Sequence, residues 1–431
     1  MDAAAAALPA VLPPARVERL ANGLTLCLVE NRQAPLVTSA LVYRAGSRDD
    51  PPGQGGMAHF LEHMMFKGSR RFAVGEIDRL TRLLGGTNNA FTGHDATLYY
   101  FSFAADRWHA ALEIEADRMS ALALDGGEVD SERRVIRHEI AMYQDEPWDA
   151  LELEVSRARF PDHPYGRPVL GTAGELARID GPALAAFHRR YYRPDNAVLV
   201  LAGDLDDGAF DAAARAFEDA GRERGEALER PALAAPGAPA GMVRRVRRQG
   251  ELPRLLLALP APPAAMPEHA RLRLLLAVLG SGRRSRLHRA LVDEGELCAW
   301  VSCDLTETAA AGTVLIAAEV LPGVEPQRVE EEIFDRLRRL IAAPPSAAEI
   351  ARARRLLQAD WAFAHERVHQ QATEIALALA LFDLEQPARQ WAEILAAGRE
   401  ELHEVAARFL RVEDAAVVGW SLPRDGGGDG R

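Results

Sequence analysis

The chain has 431 residues, a formal net charge of -12, 48% hydrophobic residues and 26% charged ones. That balance excludes a disordered or fibrous protein, and the negative charge argues against nucleic acid as a partner. Its length suffices for two or three domains.

Cys27, Cys298 and Cys303 are too few for a disulfide framework and show no zinc-type pairing. No apolar run approaches the roughly 20 residues that span a bilayer. Lys67 stands alone among many arginines, which with the abundance of alanine suggests a GC-rich bacterial genome. Met1-Asp2 and the alanines that follow lack a basic segment and a long apolar one, so they are not a signal peptide as written. They would also fit a mature chain whose signal has been removed, which leaves cytoplasm and periplasm both open.

A disordered tail is expected over 1–15. Strands follow at 17–20 and 24–30, joined at Asn22-Gly23, and another at 36–44. A turn-rich loop at 51–56 leads into a helix near 56–67. An amphipathic helix at 74–84 stops at Gly85-Gly86. Paired strands at 89–95 and 97–104 precede long helices at 106–124 and 128–143. Strands followed by several helices without strict alternation indicate an α+β domain with a mostly antiparallel sheet.

The stretch 229–242 is almost all Pro, Ala, Leu and Gly and reads as a linker. Beyond it the same grammar restarts, with strands at 243–248, 255–259, 298–305 and 313–320 and helices between and after them. The halves also end alike. Arg190-Tyr191-Tyr192-Arg193-Pro194-Asp195-Asn196-Ala197 is echoed by Arg408-Phe409-Leu410-Arg411-Val412-Glu413-Asp414-Ala415, each before an apolar strand. These features predict two homologous domains, 16–228 and 243–424, and a Gly-rich tail at 425–431.

The chemistry gathers at His59-Phe60-Leu61-Glu62-His63. On a helix, positions i, i+3 and i+4 share one face, so two imidazoles can reach one metal ion while Glu62 points at what the metal holds. A catalytic zinc site needs a third protein ligand and an open position. Glu132 and Glu139, seven apart on the helix 128–143, both flank its apolar stripe, and spacing alone does not choose between them. The second half carries Leu276-Ala277-Val278-Leu279-Gly280 where the first has its histidines.

The run from Gly55 to Gly68, with Gly86-Thr87-Asn88-Asn89-Ala90-Phe91-Thr92, the stretch from Glu132 to Pro147, His163-Pro164-Tyr165-Gly166 and Tyr192-Arg193-Pro194-Asp195-Asn196, resembles the pitrilysin/insulinase family of zinc peptidases. It is similar in particular to the short bacterial members related to mitochondrial processing peptidase. The resemblance implies one zinc ion per chain held by His59, His63 and Glu139, with Glu62 as general base and Glu132 as a supporting carboxylate. His138 stands where relatives often carry a second glutamate and reads as a surface histidine. Asn89, Ala90, Phe91 and Thr92 would form an edge strand that pairs with an extended peptide substrate. Arg286 and Trp300 correspond to a substrate-contacting Arg…Tyr pair, with tryptophan in the tyrosine's place. The resemblance also implies a clamshell of two domains and a homodimer, or a heterodimer with a homologous subunit.

Two other readings remain. One is a non-catalytic or assembly subunit, although such subunits usually lose motif residues that this chain keeps. The other is a peptidase at His365-Glu366-Arg367-Val368-His369, a literal H-E-x-x-H with Glu393 as a conceivable third ligand. The charge of Arg367 and the polar Gln370-Gln371 favour a solvated face there instead.

Overall fold

The computed structural model describes residues 13–220, 228, 230–237 and 239–424. The expected tail up to residue 12, with its bearing on a leader, and the Gly-rich tail at 425–431 lie outside the described residues. Alternating apolar residues around Asn22-Gly23 form the hairpin of β1 (Ala15–Arg19) and β2 (Thr25–Glu30). Then come β3 (Leu36–Tyr43), β4 (Thr87–Thr92), β5 (Thr97–Ala104) and β6 (Ala197–Gly203). They make one sheet in the order β1-β2-β6-β3-β5-β4, antiparallel except for β2 against β6. Every residue of β6 is buried, because helices cover both faces of the sheet's middle.

The second half repeats this plan. β7 (Val243–Arg248), β8 (Arg254–Ala261), β9 (Cys298–Leu305), β10 (Gly312–Val320) and β11 (Val417–Leu422) form a sheet in the order β7-β11-β8-β10-β9. Again a single pair, β11 with β7, is parallel. Strand for strand this is the first sheet without β1, as an internal duplication requires. The fold is α+β, two domains each with a mixed, mostly antiparallel sheet.

Helices α1 (Met57–Met64), α2 (Glu76–Leu83), α3 (His109–Ala121), α4 (Gly126–Asp145) and α5 (Pro147–Arg159) belong to the first half of the chain. The two compact units of the chain are each assembled from segments that are not contiguous in sequence. One compact unit consists of the residues up to 135, 169–230 and 363–391, and the other of 136–168, 231–362 and 392 onward. The break in the linker falls where the composition shifts, yet each half gives up a segment.

The helix Val368–Leu381 lies across β3 and β6, where Val368, Ala372, Ile375, Ala376 and Ala380 join a core with Val29, Val42, Leu98 and Val200. Arg44 extends towards it and donates from Nε to the Ala380 carbonyl at 2.6 Å. In the other unit α5 lies across β8 and β11, packing Leu151 and Val155 on Leu256, Ala258 and Val417. The approach is so close that a Cβ on Gly419 would come within 2.4 Å of Val155 Cγ2. α5 and Val368–Leu381 hold the same place in the repeated order, so the two copies exchange equivalent helices. Either helix presents an apolar face of the right spacing to either sheet, which is why periodicity cannot tell which sheet it covers.

Candidate functional site

α1 begins where Gly56, at φ +88°, turns the chain; a Cβ there would lie 2.4 Å from the Leu170 carbonyl oxygen. The buried Asp50 carboxylate accepts from the N–H groups of Gly56 and Ala58, at 2.8 and 2.9 Å, and so caps the helix N-terminus. Along α1 every side chain is buried except Glu62 and His63. The face that carries the motif is therefore the face that opens.

The helical spacing does bring the motif together. The His59 and His63 rings stand 4.6 Å apart, centroid to centroid. Burial, with a smaller push from His63, drives the His59 pKa down to about 3, so its imidazole is neutral and able to act as a ligand. His63 Nδ1 lies 3.0 Å from Glu132 Oε1, which leaves Nε2 for a metal. Lys67 Nζ lies 2.7 Å from the other oxygen of that carboxylate. Burial alone would raise the Glu132 pKa; the contacts with His63 and Lys67 outweigh it and hold the group below its usual range.

Glu139 stands two turns further along α4 on the same face as Glu132. His59, His63 and Glu139 each offer a ligand atom, all within 4.8 Å of one another, the one such group among the described residues. Two imidazoles and one carboxylate fit zinc, which takes nitrogen and oxygen ligands and keeps an open position in catalytic sites. Of the two candidate carboxylates, then, Glu139 joins the histidine pair and Glu132 supports one of them from behind.

Among the described residues β4 is the last strand of its sheet and pairs only with β5. Its side chains alternate: Thr87, Asn89 and Phe91 are exposed, while Asn88, Ala90 and Thr92 are half-buried. Thr92, grouped with the peptide-binding edge by sequence, turns its hydroxyl inward and donates to Glu62 Oε2 at 2.5 Å. Behind it Thr97 Oγ1 is 3.4 Å away and donates to the Ala45 carbonyl at 2.8 Å. The Tyr99 and Tyr192 hydroxyls meet at 3.0 Å, and burial holds both phenols above their usual pKa, hence neutral. Buried Arg118, paired with Glu115 at 2.7 and 2.6 Å, lies 4.4 Å over the Tyr99 ring. Sequence reasoning left out the contacts of Thr92 and Lys67. For Thr92 the available signal was the strand's period of two; for Lys67 it was its place four residues after His63.

In the second unit Arg286 is held by Glu349 through two hydrogen bonds of 2.8 and 3.1 Å. Trp300, on β9, is 37% exposed and packs at 5.0 Å against the Trp148 ring. The helix Pro267–Gly280 follows β8 as α1 follows β3, but buries Leu274 through Leu279 and carries no ligand pair at its C-terminal end.

The H-E-x-x-H stretch is broken by the fold. One helix ends at Ala364 and the next starts at Val368, with Arg367 as its N-cap, so His365 and His369 do not share a helix face. His365 is buried rather than solvated and lies 2.9 Å from Glu374, while His369 stacks on Tyr100 at 5.8 Å. Glu393 pairs with Arg271 at 2.9 Å.

Residues 26–173 match the model of the insulinase family, peptidase family M16, and residues 178–357 match the M16 inactive domain. The chain belongs to peptidase family M16. An uncharacterized zinc protease of Bacillus subtilis, YmxG, is 35% identical over 186 residues, 43% of this chain and 46% of that one. An uncharacterized zinc protease of Mycobacterium leprae is 32% identical over 303 residues, 68% of this chain and 67% of its own length. This M16 chain thus spans about half the length of the first of these relatives and two thirds of the second. A crystal structure of a protease from Helicobacter pylori covers 96% of this chain and 100% of that one with a TM-score of 0.90 at 24% identity, a likeness of fold. No helix among the described residues is long and apolar enough to cross a membrane.

Proposed function

We propose that this M16 chain is a zinc-dependent endopeptidase for extended or unfolded polypeptides. The observation that carries the reading is the convergence of His59, His63 and Glu139 beside a carboxylate, Glu62, that is not one of the ligands. All of these residues, and Glu132, fall within the 26–173 match, whereas the inactive-domain match covers 178–357, the copy without a ligand pair.

His59, His63 and Glu139 would hold the ion. When bound there, zinc acidifies water to a pKa of about 7 and polarises a peptide carbonyl. Glu62 accepts the proton of the attacking water and delivers it to the departing amine nitrogen. Thr92 holds one Glu62 oxygen by a hydrogen bond and so helps to fix the orientation of the carboxylate. The free edge of β4 would take the substrate backbone by main-chain hydrogen bonds, with Asn89 and Phe91 outside to meet its side chains and Ala90 inside. Arg286 and Trp300 belong to the same reading as substrate-contacting residues. Pairing with a second copy or a homologous subunit is part of the same reading.

Zinc content and cleavage of a quenched fluorescent peptide test it, with the chain alone and co-expressed with a homologous subunit. Wild type and His369→Ala should each bind one zinc per chain, and His63→Ala should lose it together with activity. Loss of zinc in His369→Ala alone would overturn the assignment. Thr92→Val is expected to lower kcat about tenfold, the cost of one hydrogen bond to a charged group, with zinc content and KM near wild type. Thr92→Ser should restore kcat; an unchanged kcat in Thr92→Val removes Thr92 from the base's support.

A further inference from the structure

Glu132 divides its two oxygens between His63 Nδ1 and Lys67 Nζ, at 3.0 and 2.7 Å, with only 7% of its side chain exposed. Lys67 follows His63 by four residues, and the chain keeps turning past α1, with N–H groups of Phe66 and Lys67 bonded to the His63 and Met64 carbonyls. One stretch of backbone therefore presents the imidazole and the ammonium to the same carboxylate. We propose that Lys67 is a positioning residue of the metal site, pinning the far oxygen of Glu132 so that the near one orients His63 for the ion. The inference rests on the zinc reading above.

Composition supports it independently. Of 51 basic side chains in the chain Lys67 is the only lysine, the others all being arginine. In a chain so committed to arginine, the single ammonium stands at a place where a guanidinium would act differently. A guanidinium forms a planar fork that engages both oxygens of a carboxylate. At Glu132 that fork would compete with His63 for Oε1. An ammonium bonds as a compact point donor and leaves Oε1 where it is. Nearby cations are committed elsewhere: Arg133 bonds Asp130 and the Ile179 carbonyl, and Arg118 bonds Glu115. Without Lys67 the buried Glu132 Oε2 loses its cation, and the carboxylate is free to rotate away from the imidazole.

Outer-shell partners of metal ligands typically contribute 10–100-fold to metal affinity. Zinc affinity measured by competition with a chromophoric chelator should fall about tenfold in Lys67→Met. Glu132→Gln should fall at least as far, and the double variant no further than Glu132→Gln, because Lys67 acts through Glu132. Each metal-free variant should still unfold cooperatively, with the circular dichroism of the metal-free wild type, so that weaker zinc binding is not loss of the fold. Wild-type zinc affinity in Lys67→Met, or fully additive losses in the double variant, would overturn the role of Lys67. A wild-type chain that binds no zinc would instead overturn the reading on which it rests, so the two failures are distinguishable.

Discussion

Glu62→Gln is expected to lower peptide cleavage by a factor of about 10²–10⁴ and to leave one zinc per chain in place. The two halves of that statement come from different parts of the geometry. The three atoms that can close on an ion belong to His59, His63 and Glu139, and none belongs to Glu62. The glutamine side chain has the same length, and its carbonyl oxygen can still accept from Thr92 Oγ1, which the native carboxylate does at 2.5 Å. Packing around α1 is therefore kept. What disappears is the capacity to take a proton and return it, since an amide is not basic near neutral pH. Zinc by elemental analysis and turnover of a fluorogenic peptide, on the same preparation, separate the two effects. Full activity in Glu62→Gln would remove it as the base. Loss of zinc would make it a ligand, and the roles of Glu62 and Glu139 would have to be exchanged.

How much of this site could be read from the sequence depends on the range over which its parts are connected. His59, Glu62 and His63 lie within one and a quarter turns of a helix, and the 3.6-residue period alone puts them on one face. The choice between Glu132 and Glu139 was not legible from spacing. Both fall on one face of α4, and only tertiary placement ties one to His63 and Lys67 while the other joins the metal group. Thr92 illustrates a subtler limit. Strand alternation says that Thr92 and Phe91 face opposite ways, but not which of them turns inward, because the neighbouring α1 decides that. The H-E-x-x-H stretch is the opposite case, a motif whose letters match while its backbone does not continue as a helix across 365–367.

The fold itself is mostly local and so mostly readable. Strand and helix positions follow from periodicity and turn residues, and the repeated order in the two halves announces the duplication. The exchange of α5 and the helix Val368–Leu381 is not local. Both present small and branched apolar residues at helical spacing to a sheet of nearly the same design, so the energetic difference between covering one's own sheet and the other lies in the connections, not in the faces.

That exchange has a large consequence for fragments. Residues 13–230, produced alone, are expected to fail to fold into a cooperative unit, although they contain a whole sheet and both histidines. Their β3–β6 face would lose Val368, Ala372, Ile375, Ala376 and Ala380, the partners of Val29, Ala40, Val42, Leu98 and Val200. Each fully buried large side chain is worth about 1.5–3 kcal/mol, and a native domain's net stability is only about 5–15 kcal/mol. Uncovering that face removes a comparable sum and exposes a contiguous apolar surface prone to self-association. The fragment 231–424 has the converse defect, since β8 and β11 lose Leu151 and Val155 of α5. Co-expression of the two fragments should therefore yield a soluble complex, because each carries the helix that the other lacks. Near-ultraviolet circular dichroism and size-exclusion chromatography of the separate and co-expressed fragments report the outcome. Cooperative unfolding and monomeric behaviour of 13–230 by itself would mean that its sheet needs no cover from residues 363–391, and that the exchange is a detail of packing rather than a condition of folding.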